Sequence, residues 1–405
     1  MEFLIASRRE RPGDDPIFAL NAEAKRRAAA GEDVVNATIG ALLHDDGRLA
    51  VMPSVVEALA SVEPEVAAAY APIPGRADYR EAVVQDLLGA YGLAEQGVAV
   101  ATPGGSGALR MAIDDFLEPG QEVLTSSFFW GPYRTLADEA GRALRTYNMF
   151  GADRRLDVAD LDAQMATQMK AQGRVLLFLN TPCHNPTGYS LDAEEWKQVA
   201  AVIEKHAAAG PVVVLLDIAY SYYAEEGLAI AMEALRGLTD KALVLFAWSA
   251  SKSFAQYGLR VGALVALMPD PAERARIGNA MTFSCRGLWS NCNAMGQIGI
   301  TRVLTDPTLA KRALAERAEL VAMLDRRVDH WNALAGPANL HYPRYDGGFF
   351  TTVFCDDAFT VATKLRERGI FVVPMPGALR VAICAVHEAQ IDRIVPALVE
   401  ILKPA

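Results

Sequence analysis

The sequence predicts an α/β fold built on a mainly parallel sheet, followed by a smaller α+β part. Three observations predict it. Short apolar runs recur along the chain, rich in Val and Leu and continuous rather than alternating, as strands buried on both faces of a parallel sheet read. Amphipathic stretches with helical spacing lie between them. After about residue 300 the texture changes, with one long helical stretch and then short strand-like and helical pieces.

The strand-like runs are, in order, Val98–Thr102, Glu122–Ser126, Val175–Asn180, Val212–Asp217, Ala242–Trp248 and Gly262–Met268. Between the first two, Leu109, Ala112, Ile113, Phe116 and Leu117 fall on one helical face. Trp196, Val199, Ala200, Val202 and Ile203 do nearly the same after the third. Good helix formers run from Leu309 to Leu334 and stop at Gly336-Pro337. Strand-like pieces follow at Phe349–Phe354, Phe371–Pro374 and Leu379–Ile383, with helical patterns at Ala358–Arg368 and Glu388–Leu402. The expected division is a large domain over residues 48–300 and a smaller one formed by 1–47 and 301–405. No repeat of solenoid or propeller length is visible.

Composition narrows the function. Among 405 residues, 39 Lys and Arg stand against 49 Asp and Glu, a net charge of −10. The densest basic clusters, Arg8-Arg9 with Arg11 and Lys25-Arg26-Arg27, are short and sit beside acids, so they read as solvated faces and no nucleic-acid partner is expected. Five cysteines, at 183, 285, 292, 355 and 384, show no C-x-x-C spacing, and the histidines form no H-E-x-x-H pair. No metal site is expected, and a reducing cytoplasm is the expected compartment. No apolar run approaches the ~18 residues of a membrane span, and no secretory signal is expected.

In open α/β sheets the ligand sits beyond the C-terminal ends of the strands. After Val175–Asn180 comes Thr181-Pro182-Cys183-His184-Asn185-Pro186-Thr187-Gly188, which also reads as an ordinary turn. The run from Val212 ends in Asp217, with Tyr220 just beyond. A carboxylate there is costly to desolvate unless a cation meets it, and otherwise reads as a structural ion pair or a helix N-cap. Ser249-Ala250-Ser251-Lys252 follows the next run, its lysine either a solvated loop residue or a functional amine. Tyr257-Gly258-Leu259-Arg260-Val261-Gly262 leads into the last. Upstream, Thr102-Pro103-Gly104-Gly105-Ser106-Gly107 opens a helix whose backbone N–H groups favour a phosphate. There is no G-x-G-x-x-G and no P-loop, so a nucleotide reading is poor. Together these groups describe one chemical object: an amine for a Schiff base (Lys252), an anion for a pyridinium (Asp217), hydrogen bonds for a phenolic oxygen (Asn185, Tyr220) and a phosphate cradle (Ser249, Arg260 and the glycine-rich turn).

With these residues in place, the sequence resembles the class I aminotransferases of the pyridoxal-phosphate fold-type I superfamily, the aspartate and aromatic group. Asn185-Pro186-Thr187-Gly188 matches that family's N-P-x-G turn. Asp217-x-x-Tyr220 matches its D-x-x-Y, and Ser249-x-Ser251-Lys252 with Tyr257-Gly258-x-Arg260-Val261-Gly262 matches its lysine signature. The likeness extends from Asp15-Pro16-Ile17 and Asn36–Gly40 to Arg380. It implies a large domain with a mainly parallel seven-stranded sheet plus a smaller α+β domain, and pyridoxal 5′-phosphate as cofactor. It further implies that Lys252 would hold that cofactor as a Schiff base and that Asp217 would pair with its ring nitrogen. Asn185 and Tyr220 would bond its ring oxygen, and Gly105, Ser106, Ser249 and Arg260 would take the phosphate. Trp130 resembles the aromatic that stacks on the ring, although by pattern alone it reads as core. Tyr70 resembles the tyrosine that reaches the phosphate of a neighbouring subunit. Gly40 and Arg380 resemble residues that meet the substrate, the arginine gripping its α-carboxylate. Arg286 resembles the arginine that binds a side-chain carboxylate across a dimer interface, and otherwise reads as a surface residue at a helix junction. Two departures touch the rim: Gly131-Pro132-Tyr133 stands where the family often has Asn-His after the stacking tryptophan, and Gly104 stands where a serine is common.

The implied activity is amino transfer between an L-amino acid, aspartate or aromatic, and a 2-oxo acid. Glutamate and 2-oxoglutarate would form one pair, in a ping-pong cycle on a homodimer. A buried, unshared Asp217 would keep the ring nitrogen protonated, and Lys252 would serve as the general base. Two other readings stand beside it: a lyase or decarboxylase on the same cofactor, and an effector-binding regulator that uses this fold as a sensor.

Overall fold

The structure, a computed structural model, describes residues 2–13 and 16–403. Asp15, part of the N-terminal resemblance, lies outside the described residues. The chain divides into two compact units. The larger comprises residues 50–325 and 343–349; the smaller comprises the residues up to 49, 326–342 and those from 350 onward. The texture change near residue 300 does not coincide with that division. One continuous helix, Pro307–Ala335, runs through it, and an unbroken helical pattern carries no mark of where its packing changes. No helix among the described residues is long and apolar enough to cross a membrane.

The larger unit holds a seven-stranded sheet: β1 (Gly97–Thr102), β2 (Glu122–Ser126), β3 (Ala143–Tyr147), β4 (Val175–Asn180), β5 (Val212–Asp217), β6 (Leu243–Ser249) and β7 (Gly262–Leu267). Their order is β1-β7-β6-β5-β4-β2-β3. β7 runs antiparallel to both of its neighbours, and the other pairings are parallel. Every residue of β4, β5 and β7 is buried, which is why these strands read as unbroken apolar runs. The sequence pattern missed β3. It is an edge strand, half-exposed and carrying Arg145, so it lacks the signature of a strand covered on both faces.

Register brings the strand ends together. Asn180 pairs with Asp217, and Asp217 with Ala247. Gly262, the first residue of antiparallel β7, faces both Thr102 at the end of β1 and Ser249 at the end of β6. One edge of the sheet therefore collects the residues that follow the parallel strands and those that precede antiparallel β7. The helix Gly104–Phe116 packs Ala108, Leu109, Met111, Ala112 and Ile113 into a core shared with Leu176, Phe178, Leu215 and Leu245 of the strands. The helix Ala193–Ala207 buries Trp196, Val199 and Ile203. Asp192 and Glu195 close its start as a reciprocal capping pair, at 2.9 and 3.0 Å.

In the smaller unit, Phe350–Phe354, Val373–Met375 and Ala378–Ala382 form an antiparallel sheet with Ala378–Ala382 in the centre. The run expected as one strand from Phe371 to Pro374 is split. Ile370–Phe371 pairs with Val35–Asn36, and the chain then joins the three-stranded sheet at Val373.

Candidate active site

A cavity of about 180 Å³ opens at the edge of the large sheet where β1, β4, β5 and β6 end. Gly105, Ser106, Trp130, Asn185, Asp217, Tyr220, Ser249, Lys252 and Arg260 line it, together with Leu109, Asn180, Ala219 and Ser251. A larger cavity of about 560 Å³ lies at the opposite edge, where β4, β5 and β6 begin, and gathers none of the motif residues.

Asp217 ends β5 and is buried. Its Oδ2 accepts a hydrogen bond from the Tyr133 hydroxyl at 2.7 Å, and its Oδ1 accepts one from the Ala219 N–H at 3.2 Å. The carboxylate expected to be unshared is thus held by a phenol. Tyr133 lies 84 residues away in sequence and meets Asp217 only through the packing of its helix, Pro132–Glu139, on the sheet. The N-cap alternative fails as well, because Tyr220, not Asp217, precedes the 3₁₀ turn Ser221–Tyr223. Burial raises the proton affinity of the Asp217 carboxyl. The bonds from Tyr133 and Ala219 and the charge of Lys252 pull it back.

Asn180 escaped the sequence reading. It ends β4 beside Asp217, and its side chain clamps two loops: Nδ2 donates to the Asp217 carbonyl at 2.8 Å, while Oδ1 accepts the Asn185 N–H at 2.6 Å. Its one visible signal was a polar residue closing an apolar run. Asn185 in turn reaches the Tyr220 hydroxyl at 3.4 Å. The Lys252 ammonium lies 5.6 Å from the centre of the Tyr220 ring and 5.8 Å from that of Tyr257. His184, in the same turn, is buried with Nδ1 2.8 Å from the Thr187 hydroxyl. Burial pushes its pKa down to about 3, so the ring is neutral.

The other end of the cavity gathers groups suited to an anion. Gly105 and Ser106 begin the helix Gly104–Phe116, whose first N–H groups have no partner within the helix. The Ser249 hydroxyl accepts the Ser251 N–H at 3.2 Å and so caps the short helix Ala250–Ser253 that carries Lys252. Arg260, at a left-handed φ of 55°, bonds the Ser251 hydroxyl and the Tyr257 carbonyl, each at 3.1 Å, and the Pro103 carbonyl at 3.3 Å. The Arg260 side chain keeps contact with solvent, but partial desolvation lowers its proton affinity, a cost that a bound dianion would offset. Two glycines make room. Gly104 has φ +70°, and a Cβ there would come 2.5 Å from the Arg260 guanidinium. A Cβ on Gly262 would sit 2.6 and 2.8 Å from the Gly104 backbone and 2.8 Å from the Trp248 carbonyl.

The remaining candidates are not among the residues that line this cavity. Tyr70 follows the helix Pro64–Ala68 and is 91% exposed. Arg286 lies near the end of the helix Pro271–Leu288, exposed and bonded to the Ser290 hydroxyl at 2.7 Å. Gly40 and Arg380 belong to the smaller unit. There the buried Arg380 donates to the Thr38 carbonyl at 2.6 Å, with its guanidinium 4.4 Å from the centre of the Phe350 ring. A Cβ on Gly40 would meet the same ring at 2.5 Å.

One cavity therefore joins an amine, a buried carboxylate, hydrogen-bonding phenol and amide groups, an aromatic wall at Trp130 and an anion cradle. This donor set fits a phosphorylated pyridine aldehyde end to end, and defines an enzyme that works through such a group. A family model for aminotransferase class I and II matches residues 32–398, and the chain belongs to that family. It is a pyridoxal-phosphate-dependent aminotransferase. The aspartate aminotransferase of Pseudomonas aeruginosa is 30% identical over 404 residues, covering 96% of this chain and 97% of its own. The crystal structure of an aminotransferase from Anaerococcus prevotii superposes with a TM-score of 0.94 at 31% identity, covering all of both chains. The aromatic-amino-acid aminotransferase of Burkholderia pseudomallei, covalently bound to pyridoxal phosphate, superposes at 0.82 with 26% identity, covering 99% of this chain and 100% of its own.

Proposed function

We propose that Lys252 carries the pyridoxal phosphate, with Asp217 facing its ring nitrogen, and that the enzyme moves an amino group between an aspartate-type or aromatic L-amino acid and a 2-oxo acid. Glutamate and 2-oxoglutarate form one pair, and the two half-reactions alternate. The observation that carries this reading is the cavity itself, which holds the amine of Lys252 and the buried Asp217 carboxylate, with the anion cradle of Ser106, Ser249 and Arg260 among its lining.

When bound, the cofactor supplies an electron sink that makes the proton on the substrate α-carbon removable. The rest is the work of the chain. Ser106, Ser249, Arg260 and the N–H groups at Gly105 fix the phosphate, with Tyr70 of a second copy as a further donor. Asn185 and Tyr220 hold the ring oxygen, and Trp130 covers one face of the ring. Asp217 keeps a proton on the ring nitrogen, because a buried carboxylate favours a cation beside it. Once the incoming substrate amine has displaced it from the cofactor, Lys252 Nζ would take the α-proton and hold it for return; a free lysine amine, with a pKa near ~10.4, would be almost wholly protonated at neutral pH, and a cationic neighbour lowers that value. Arg380 receives the α-carboxylate as a planar fork, beside the backbone of Gly40. Arg286, supplied across a homodimer interface, receives the side-chain carboxylate of dicarboxylic substrates. The odd, scattered cysteines fit work in the cytoplasm.

Mixing the loaded enzyme separately with L-glutamate, L-aspartate and L-phenylalanine, with no oxo acid present, tests the reading. The visible band should give way to that of the aminated cofactor, and Lys252→Ala should abolish both turnover and the lysine-bound band. A band that survives every donor, or stoichiometric release of ammonia or CO2, would sink it. Sedimentation that found an active monomer would remove the shared roles of Tyr70 and Arg286.

A further inference from the structure

Tyr133 stands three residues beyond Trp130, on the first turn of Pro132–Glu139, and is 1% exposed. Its ring is held edge-on by Trp130, 5.8 Å away between centroids at 88°, and by Phe178, 5.3 Å away at 80°. With the ring so held, the hydroxyl donates to the Asp217 carboxylate, 2.7 Å away. Asp217 is thus fixed at three points: Oδ2 by Tyr133, Oδ1 by the Ala219 N–H, and its carbonyl by Asn180. The charged or titratable groups that act on the pair are Lys252, which favours the carboxylate, and Tyr220, which bears on Tyr133.

We propose that Tyr133 is a positioning residue for amino transfer: by holding Oδ2, its phenol fixes the plane of the Asp217 carboxylate that meets the cofactor's ring nitrogen. The proposal rests on the role of Asp217 given above. It has a chemical consequence. Among the described residues, the donors on this carboxylate are a backbone amide and a phenol. Burial and the neighbouring Asp217 charge push the phenol well above its usual range, so it keeps its proton at any working pH. Asp217 then meets the ring nitrogen without a titrating partner, and the pH profile lacks any ionisation from that partner.

The test compares Tyr133→Phe and Tyr133→His with the wild-type holoenzyme. Removing the hydroxyl takes a hydrogen bond from a buried charge, so Tyr133→Phe should lower kcat about 10- to 100-fold. KM for the amino donor should stay within about threefold, since no substrate contact is lost. The acid limb of kcat should move up by about one pH unit, because the carboxylate now protonates more readily. Tyr133→His should restore most of kcat above pH 8, where the imidazole is a neutral donor, and add an ionisation between about pH 5 and 8 that wild type lacks. That ionisation should also appear in the pH titration of the visible band, a readout independent of turnover. A Tyr133→Phe enzyme with unchanged kcat and unchanged pH profile would overturn the proposal. If that variant does not fold, a Tyr133→His enzyme without the added ionisation would do so. Asp217→Asn separates the two levels: if it too is fully active, the role given to Asp217 fails, whereas a dead Asp217→Asn beside an unaltered Tyr133→Phe removes only the positioning role.

Discussion

Single residues carry the chemistry proposed for this enzyme, and their order along the chain made many of them readable. Asn185, Asp217, Tyr220, Lys252 and Arg260 each follow or precede a buried strand, where a polar side chain stands out against an apolar run. Tyr133 and Asn180 did not stand out: an aromatic on an amphipathic helix reads as core, and Asn180 reads as the end of a strand. Their roles arise from partners 84 and 37 residues away. Arg286 gives the test at this scale. It is exposed and, among the described residues, bonded only locally, to Ser290, so the protein around it asks little of it. Arg286→Leu should leave folding intact and raise KM for glutamate and aspartate about 10- to 100-fold, the loss of one charged pair. KM for phenylalanine should change by less than about threefold. Steady-state kinetics with the three donors would check this, and an equal change for all three would contradict it.

At the scale of elements, the anion cradle depends on how closely three strand ends approach. β7 enters the sheet at Gly262, facing both Thr102 and Ser249, and the turn at Gly104 lies against it. The sequence showed the glycines but not this contact, because nothing local marks two turns 158 residues apart as neighbours. Gly262→Ala puts a methyl into backbone on two sides, neither of which is a flexible side chain. It should destabilise the chain by about 1–3 kcal/mol, in the range of overpacked sites. It should also weaken pyridoxal phosphate binding about tenfold or more, since the cradle must move. Urea unfolding and equilibrium dialysis of the cofactor would measure the two effects; full cofactor affinity in a stable variant would show that the approach is not needed. The missed strand β3 belongs to the same scale. Its half-exposed edge position replaces the continuous apolar run by a mixed one, and sheet pairing alone reveals it.

For the molecule as a whole, stability should carry the mark of a half-buried acid outside the candidate cavity. Asp115 closes the helix Gly104–Phe116. The Ser284 hydroxyl donates to its Oδ1, while Oδ2 is buried with no hydrogen-bond partner among the described residues. Burial pushes its pKa from the ordinary 3.8 up to about 6, with Asp114 adding to the rise and Ser284 opposing it. Between those two values the folded chain binds a proton that the unfolded chain does not. This contribution is therefore present at low pH and lost as pH rises through about 6, by at most about 3 kcal/mol. Asp115→Asn, neutral at every pH, should be more stable than wild type at pH 8 and should lose that advantage near pH 5. Urea unfolding of both proteins at the two pH values would check the sign, and equal stabilities at pH 8 would refute it.

The sequence by itself determined the kind of element at most positions, the α/β class, and which residues bear an amine, a carboxylate or a phosphate-binding turn. Those properties are local: a buried strand must be apolar, a helix start must leave N–H groups open, and a charged side chain at a strand end must find a use. The tertiary structure decided which of these groups meet. The register that sets Asn180 beside Asp217, the packing that turns the Tyr133 hydroxyl onto that carboxylate, and the approach of Gly262 to Gly104 all join segments far apart in the chain. Such contacts follow from strand pairing and close packing over the whole core, and those forces leave no pattern in any one stretch of sequence.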